Sequence, residues 1–354
     1  MKDRALNKNS RGGKARFYVG LIIVAIFYLA AILADLLSPY DYREQSRKQP
    51  SAPPSVVRFH DAEGRFSIRP HVFASELTDA ISQTYSVDET RSAPLKFFVH
   101  GPPYWFLGVF YTDVHLFGLS IESYGIRVQL LGTDALGRDR FSRLLHGIRF
   151  SLLVSPIGTI IAAIIGILIG IISGFAGRLV DSLLMGITDA IISLPTLILI
   201  LAARAAFPLE LPPITAAALL IGIFAFTGWA EMARLARGQV KTVRELEFVT
   251  AATATGVRPG RILFRHILPN ISGSLITQTL LMLPGFLLAE AALSFLGVGL
   301  QEPEPSLGNL LTAAGDLMQL QQQPLLLLSP ALVIFIFVLS IRFLSDALLR
   351  ESRR

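Results

Sequence analysis

The chain has 354 residues, 52% of them hydrophobic and 16% charged, with a mean hydropathy of +0.55. The apolar residues come in long blocks, which argues against an ordinary soluble domain and for a multi-span helical membrane protein. Absence of cysteine removes disulfide frameworks, thiolate metal sites and cysteine catalysis, and the net charge of +6 clusters beside the apolar blocks, as membrane topology requires, so it gives no support to nucleic-acid binding.

The N-terminal tail sets Lys2, Arg4, Lys8, Arg11, Lys14 and Arg16 against Asp3 and runs into Phe17–Leu37. That apolar stretch is long enough to cross a hydrocarbon core of roughly 30 Å. It is longer than the apolar region of a cleaved signal and is followed by more spans, so residues 1–37 read as a cytoplasmic tail and an uncleaved first helix. Residues 38–146 are different material, rich in proline and mixed in charge. Their aromatic, alternating pieces Leu95–Val99 and Tyr104–Tyr111 predict short strands, and the segment reads as an extracytoplasmic insertion of α+β type.

Residues 147–354 form the membrane core. Asp134, Arg138, Asp139, Arg140, Arg143 and Arg149 crowd the approach to a second span, about Phe150–Phe175. Within that span Gly158, Ala162, Gly166, Gly170 and Gly174 recur at four-residue spacing, the pattern that lets two helices approach closely in lipid. A third span, about Leu183–Phe207, contains Pro195 as a kink. Ile214–Ala233 is a fourth, Ile271–Gly297 a fifth and Leu325–Leu344 a sixth. Val298–Pro324 holds Glu302, Glu304 and Asp316 without Lys or Arg, whereas Arg350, Arg353 and Arg354 close the tail. Basic short loops alternate with acidic or neutral ones, so both termini are expected in the cytoplasm.

Between the fourth and fifth spans, at about 236–270, lies a basic loop. Its part Leu246–Asn270 predicts a small-residue helix over Phe248–Thr255, a glycine stop at Gly256, and a second helix opened near Pro259 and ended before Pro269. Ionisable residues in or near spans are functional candidates because burying one alone in lipid is costly. Glu231 lies one turn from Arg234 and can pair with it or snorkel. Asp189 and Arg204 are shallow, and Glu290 is the deepest candidate for contact with a solute, with a structural hydrogen bond as its other reading. Asp134, Arg138 and Asp139 read as an interfacial brace or, alternatively, a gate or docking contact.

No G-x-x-x-x-G-K-[ST], H-E-x-x-H or G-x-S-x-G segment occurs, so this chain is not expected to hydrolyse ATP or act as an enzyme, and the scattered histidines show no metal-ligand spacing. Thr250-Ala251-Ala252, Gly256 and Ile267-Leu268-Pro269 do form a pattern. It resembles the Glu-Ala-Ala…Gly…Ile-x-Leu-Pro signature of the membrane subunits of binding-protein-dependent ABC importers, and GTDALGRDRFSRLLHGIRFSLL and AEAALSFLGVGLQEPEPSLGNLL resemble the dipeptide/oligopeptide/nickel group. The resemblance covers about Gly132 to the C-terminus and the arrangement, not the sequence, of the first span. Thr250 stands where the family has Glu, with Glu247 one turn earlier.

The resemblance implies an all-α, type I importer transmembrane fold of about six helices in a bacterial inner membrane. It implies a peptide permease subunit coupled through Glu247, Phe248, Val249, Thr250, Ala251, Ala252, Gly256, Ile267, Leu268 and Pro269 to separate ATPases. The partners it implies are a homologous second permease, two ABC ATPases carrying ATP and Mg, an extracytoplasmic solute-binding protein and the bilayer. Glu290 is the candidate for the translocation path, and Ala162, Gly166, Gly170 and Gly174 for helix packing. Nickel, opine-like compounds and peptide antibiotics stay open as solutes, and a membrane-anchored enzyme or a secondary transporter using the insertion stays open as a rival.

Overall fold

The computed structural model describes residues 2–80, 82–119, 125–315, 320–321 and 323–351. Asp316, Arg353 and Arg354, which entered the loop-charge reading, lie outside them. In chain order the elements are α1 (Lys2–Ile32), α2 (Ala34–Leu37), β1 (Val57–His60), β2 (Phe66–Asp79), β3 (Thr84–Pro94), β4 (Lys96–Phe106) and β5 (Phe110–Gly118). There follow α3 (Arg140–Phe175), α4 (Arg178–Ile192), α5 (Thr196–Ala205), α6 (Pro213–Arg244), α7 (Glu247–Ala254) and α8 (Pro259–Ile262). A π turn at Leu263–Ile267 leads to α9 (Leu268–Phe295), α10 (Leu307–Leu310), a 3-10 turn at Leu311–Gly315 and α11 (Pro324–Glu351). Two compact units result: Met1–Ala25 with Leu152–Leu293 and Ile334–Arg354, and Ile26–Ser151 with Ser294–Val333.

Among the described residues, five helical stretches are long and apolar enough to cross a membrane: Lys14–Ile32, α3, α6, Pro259–Phe295 and Leu328–Leu349. A sixth span exists if α4 and α5 count as one, but they are bent by 85°, more than the simple kink expected within Leu183–Phe207. The cause lies at the junction. Pro195 has no N–H to continue the helix and pushes Leu194 out of the helical region, so Ser193–Pro195 becomes a corner. At the far end of α5, buried Arg204 turns back onto the Phe207, Pro208 and Leu209 carbonyls (2.9–3.2 Å), satisfying backbone acceptors where the helix stops.

The first unit is built round the contact of α3 with α6. Gly158, Gly166, Gly170 and Gly174 face Phe224, Trp229–Ala233, Ala233–Arg237 and Val240, and a Cβ added at Gly166 would lie 2.4 Å from the Trp229 carbonyl oxygen. Ala162 continues the row, against Gly228 of α6. On the opposite face Ile160, Ile164, Leu168 and Ile172 are exposed, a surface suited to lipid. A similar approach at Gly20 sets α1 against Ser340 and Phe343 of α11. Phe224 of α6 stacks on Phe286 of α9 with centroids 4.8 Å apart.

The second unit carries the strands. β1–β2–β3 form an antiparallel sheet and β4–β5 an antiparallel hairpin. Tyr104–Tyr111 is therefore not one strand: it contains the hairpin turn, with Leu107 (φ 52°) and Gly108 (φ 70°) at its centre. Positive φ at both central residues suits the twist of paired strands, a demand hydrophobic alternation does not reveal. Pro102 and Pro103 sit where the β4–β5 register shifts between His100 and Tyr104, which is how a strand tolerates residues lacking an N–H.

Ion pairs fix the ends of the helices in this unit. Buried Arg138 and Arg143 share Glu302 (2.5 and 2.8 Å), and Arg138 also holds Asp134 (2.6 Å). Tyr42 and Arg43 both reach Glu304. Glu302 and Glu304 are thus counter-ions to arginines far away in sequence, in addition to setting the loop's charge. Half-buried Asp35 accepts from His146 (3.0 Å) and Arg149 (2.7 Å). Asp139 differs. Its Oδ2 receives the Ser142 N–H and hydroxyl at the start of α3, while buried Oδ1 has no hydrogen-bond partner among the described residues, and burial raises its pKa to about 6.

Two expectations follow. Gly166→Val should force α3 and α6 apart and cost about 1–3 kcal/mol, seen as a lower melting temperature in mild detergent, whereas Gly186→Ala, with open space beside it, should cost nothing. For Asp139 the folded pKa exceeds the unfolded one, so its contribution is complete below about pH 4 and lost as pH rises through about 6, roughly 3 kcal/mol in all. Melting measured from pH 4 to 7 should show that loss, and Asp139→Asn should flatten it; an unchanged profile in the variant would assign the pH dependence to another group.

Candidate functional site

α6 ends at Glu245, and Leu246, in extended backbone, starts α7. Glu247 is an exposed acid in its first turn, where the helix dipole favours negative charge. Of the two apolar candidates, Val249 is turned inward (1% exposed), whereas Phe248 is 44% exposed with its ring 6.1 Å from His266. Thr250 and Ala251 face outward and Ala252 is half-buried. The hydroxyls of Thr250, Thr253 and Thr255 donate to carbonyls of Glu247, Val249 and Ala252 in their own helix (2.8–3.0 Å). With those bonds made within the helix, α7 presents methyl groups and one aromatic ring, and Thr250 brings no charge to the position where the family has Glu.

Gly256 closes α7 at φ +77°, its N–H bonding Thr253 O (3.0 Å) while the Val257 N–H reaches Ala252 O (3.2 Å). This pair of bonds is a Schellman ending, which needs a left-handed residue at that point. Beyond it, the helix opened by Pro259 does not end before Pro269. It widens into the π turn, where the Leu268 N–H bonds Leu263 O, and continues as α9 through Pro269. Proline has no N–H and its ring crowds the carbonyl four residues back; a looser turn just before it accommodates both. Ile267 is fully buried in this turn, Leu268 half-buried and Pro269 exposed.

The last turns of α6 are anchored by a group that sequence reasoning missed. Asp181 of α4 accepts from Arg237 (2.5 and 2.7 Å), Lys241 (2.5 Å) and Ser173 (2.5 Å), and Arg244 bonds the Gly174 carbonyl (3.3 Å) and lies over the Phe175 ring. Arg237 and Lys241 are four apart, so their shared face was readable; the acid they meet was not.

A cavity of about 530 Å³ opens between α5, α6 and α9, lined by Thr196, Thr227, Glu231, Gln278, Met282 and Phe286 among others. Glu290 is not among the residues lining it; it is fully buried and engaged within the protein. Nor does Glu231 pair with Arg234. That arginine bonds Asp189 of α4 instead, leaving Glu231 toward the cavity.

A family profile described as "Binding-protein-dependent transport system inner membrane component" matches residues 166–354. A second, the "N-terminal TM domain of oligopeptide transport permease C", matches residues 16–54, so the likeness reaches the sequence of the first span and not its arrangement alone. The chain is 35% identical over 244 residues to the oligopeptide transport system permease protein OppC of Haemophilus influenzae, covering 69% of this chain and 76% of that one. It is 36% identical over 217 residues to the dipeptide transport system permease protein DppC of Alkalihalophilus pseudofirmus, covering 61% and 69%. Among solved structures it is similar to an inward-facing form of the MetNI methionine ABC transporter at 18% identity and a TM-score of 0.47, over 60% of this chain and 97% of that one. With its apolar spans, interrupted third span and profile match over more than half its length, the chain belongs to the family of inner-membrane components of binding-protein-dependent transport systems.

Proposed function

We propose that this chain is the membrane subunit of an ATP-driven peptide importer, and that α7 is the surface through which a separate ATPase subunit drives it. The observation that carries the reading is the character of α7. It turns only Val249 fully inward and offers a slim, nearly uncharged face of methyl groups with Phe248 half-exposed. A cleft on a partner can close round such a helix and take Phe248 as an anchor. ATP and Mg belong on the partner ATPases, and this chain's residues dock and transmit. The chain joins α7 to the end of α6, which the Asp181 clamp holds to α4, and through the π turn to α9, so displacing α7 pulls on packed helices.

A homologous second permease, two ATPases and an extracytoplasmic solute-binding protein complete the assembly. Peptide as the solute is supported by the names of the relatives. The basic loops support cytoplasmic termini and a cytoplasmic α7, with 38–146 an extracytoplasmic insertion between the first helix and the core 147–354.

Gly256 gives the test. Space beside it is open, so the barrier to a side chain is its left-handed backbone and not a clash. Asparagine tolerates that conformation and a β-branched residue does not. In the reconstituted importer, Gly256→Asn should keep most ATP-driven uptake, whereas Gly256→Val should lose at least about tenfold, matching a strain of roughly 1–2 kcal/mol or more. Normal uptake and normal ATPase association in Gly256→Val would remove the α7 turn from the mechanism.

A further inference from the structure

The cavity between α5, α6 and α9 has one ionisable side chain among its described lining residues, Glu231; the others are apolar or neutral. The cations that could neutralise this carboxylate from its own helix are committed elsewhere, Arg234 to Asp189 and Arg237 to Asp181. Among the described residues Glu231 has neither a hydrogen-bond nor an ion-pair partner, and it is exposed to the cavity. Its place on α6 is about 27 Å along the axis from Pro213, still within a hydrocarbon thickness of roughly 30 Å. That is near the inner end of the span, where water can reach a carboxylate, and without a partner it is open to a cation.

The cavity's dimensions point the same way. Its lining along α9 runs from Gln278 to Ala292, about 21 Å at helical rise, and its volume of about 530 Å³ is that of a site for a small organic molecule. Thr196 and Gln278 add neutral hydrogen-bonding groups to its wall, whereas the Thr227 hydroxyl is donated to the Ile223 carbonyl of its own helix (2.9 Å).

We propose that this cavity is an aqueous, cation-selective site in which Glu231 receives an ammonium group of the transported solute. The proposal rests on the transport reading above, and a peptide's free amino terminus is the group of that chemistry which such a solute carries.

Because the chain has no cysteine, a single introduced thiol in it reports alone. In the assembled importer, Gln278→Cys would be treated with a trimethylammonium methanethiosulfonate or a sulfonate methanethiosulfonate. Each rate would be read from the mass of this chain and normalised to the same reagent's rate with 2-mercaptoethanol. The expected result is cationic labelling about tenfold faster than anionic, as a focused negative potential produces. The ratio should fall to near one on adding Glu231→Gln and largely persist with Glu231→Asp. No labelling by either reagent would show a cavity closed to water, and a ratio indifferent to Glu231→Gln would show the carboxylate neutralised by a neighbouring subunit; either overturns the proposal. Labelling needs no uptake, so failure of the transport reading would appear separately, as an importer that labels with this ratio but moves no peptide.

Discussion

One face of α3 has almost no side chains, and the helical unit depends on it. In lipid no expelled water drives helices together, so close packing must supply the attraction, and glycines at 158, 166, 170 and 174 allow it. The partner in that contact, α6, carries three other features: the Asp181 clamp on its last turns, Glu231 on the cavity side, and α7 at its end. If α3 and α6 separated, the clamp from Ser173 and Asp181 to Arg237 and Lys241 would open with them.

Charge does different work in the two units. In the helical unit Asp181 gathers two cations from α6 and a hydroxyl from α3, fixing helices whose apolar faces are interchangeable in lipid. In the strand-bearing unit Glu302 and Glu304 are counter-ions for arginines of the segment before α3 and of α3 itself, and for Arg43 after α2. Buried or half-buried pairs of this kind are poor sources of net stability but strong determinants of register, because leaving one partner alone is so unfavourable. Among the described residues Glu231 has no such pair, and it faces a cavity.

How far the chain could be read in advance depended on the range of the interaction involved. Apolar blocks, four-residue spacing of small residues and the sorting of basic loops are local patterns, and they carry the spans and the family. The α4–α5 corner is local too, but hydropathy reports length and not direction, so Pro195 was visible and an 85° bend was not. The same limit applies at Pro269: a proline that ends a regular helix can continue one that has first widened into a π turn. Pairings such as Arg138 with Glu302 join residues far apart in sequence, and nothing local announces them. Of the two readings of Glu231, the pairing with Arg234 fails for that reason, since this nearest cation in sequence is claimed by Asp189 in space.

On the proposed coupling α7 is the docked element, with Val249 turned inward and Phe248 and Ala251 offered outward. Site-directed thiol cross-linking in the assembled importer tests this most directly, using Phe248→Cys, Ala251→Cys and Val249→Cys in the cysteine-free chain. Cross-links to the ATPase subunit from positions 248 and 251 but not from 249, strengthened or weakened by ATP, are the predicted result. Equal capture from all three positions, or none from the exposed pair, would contradict it.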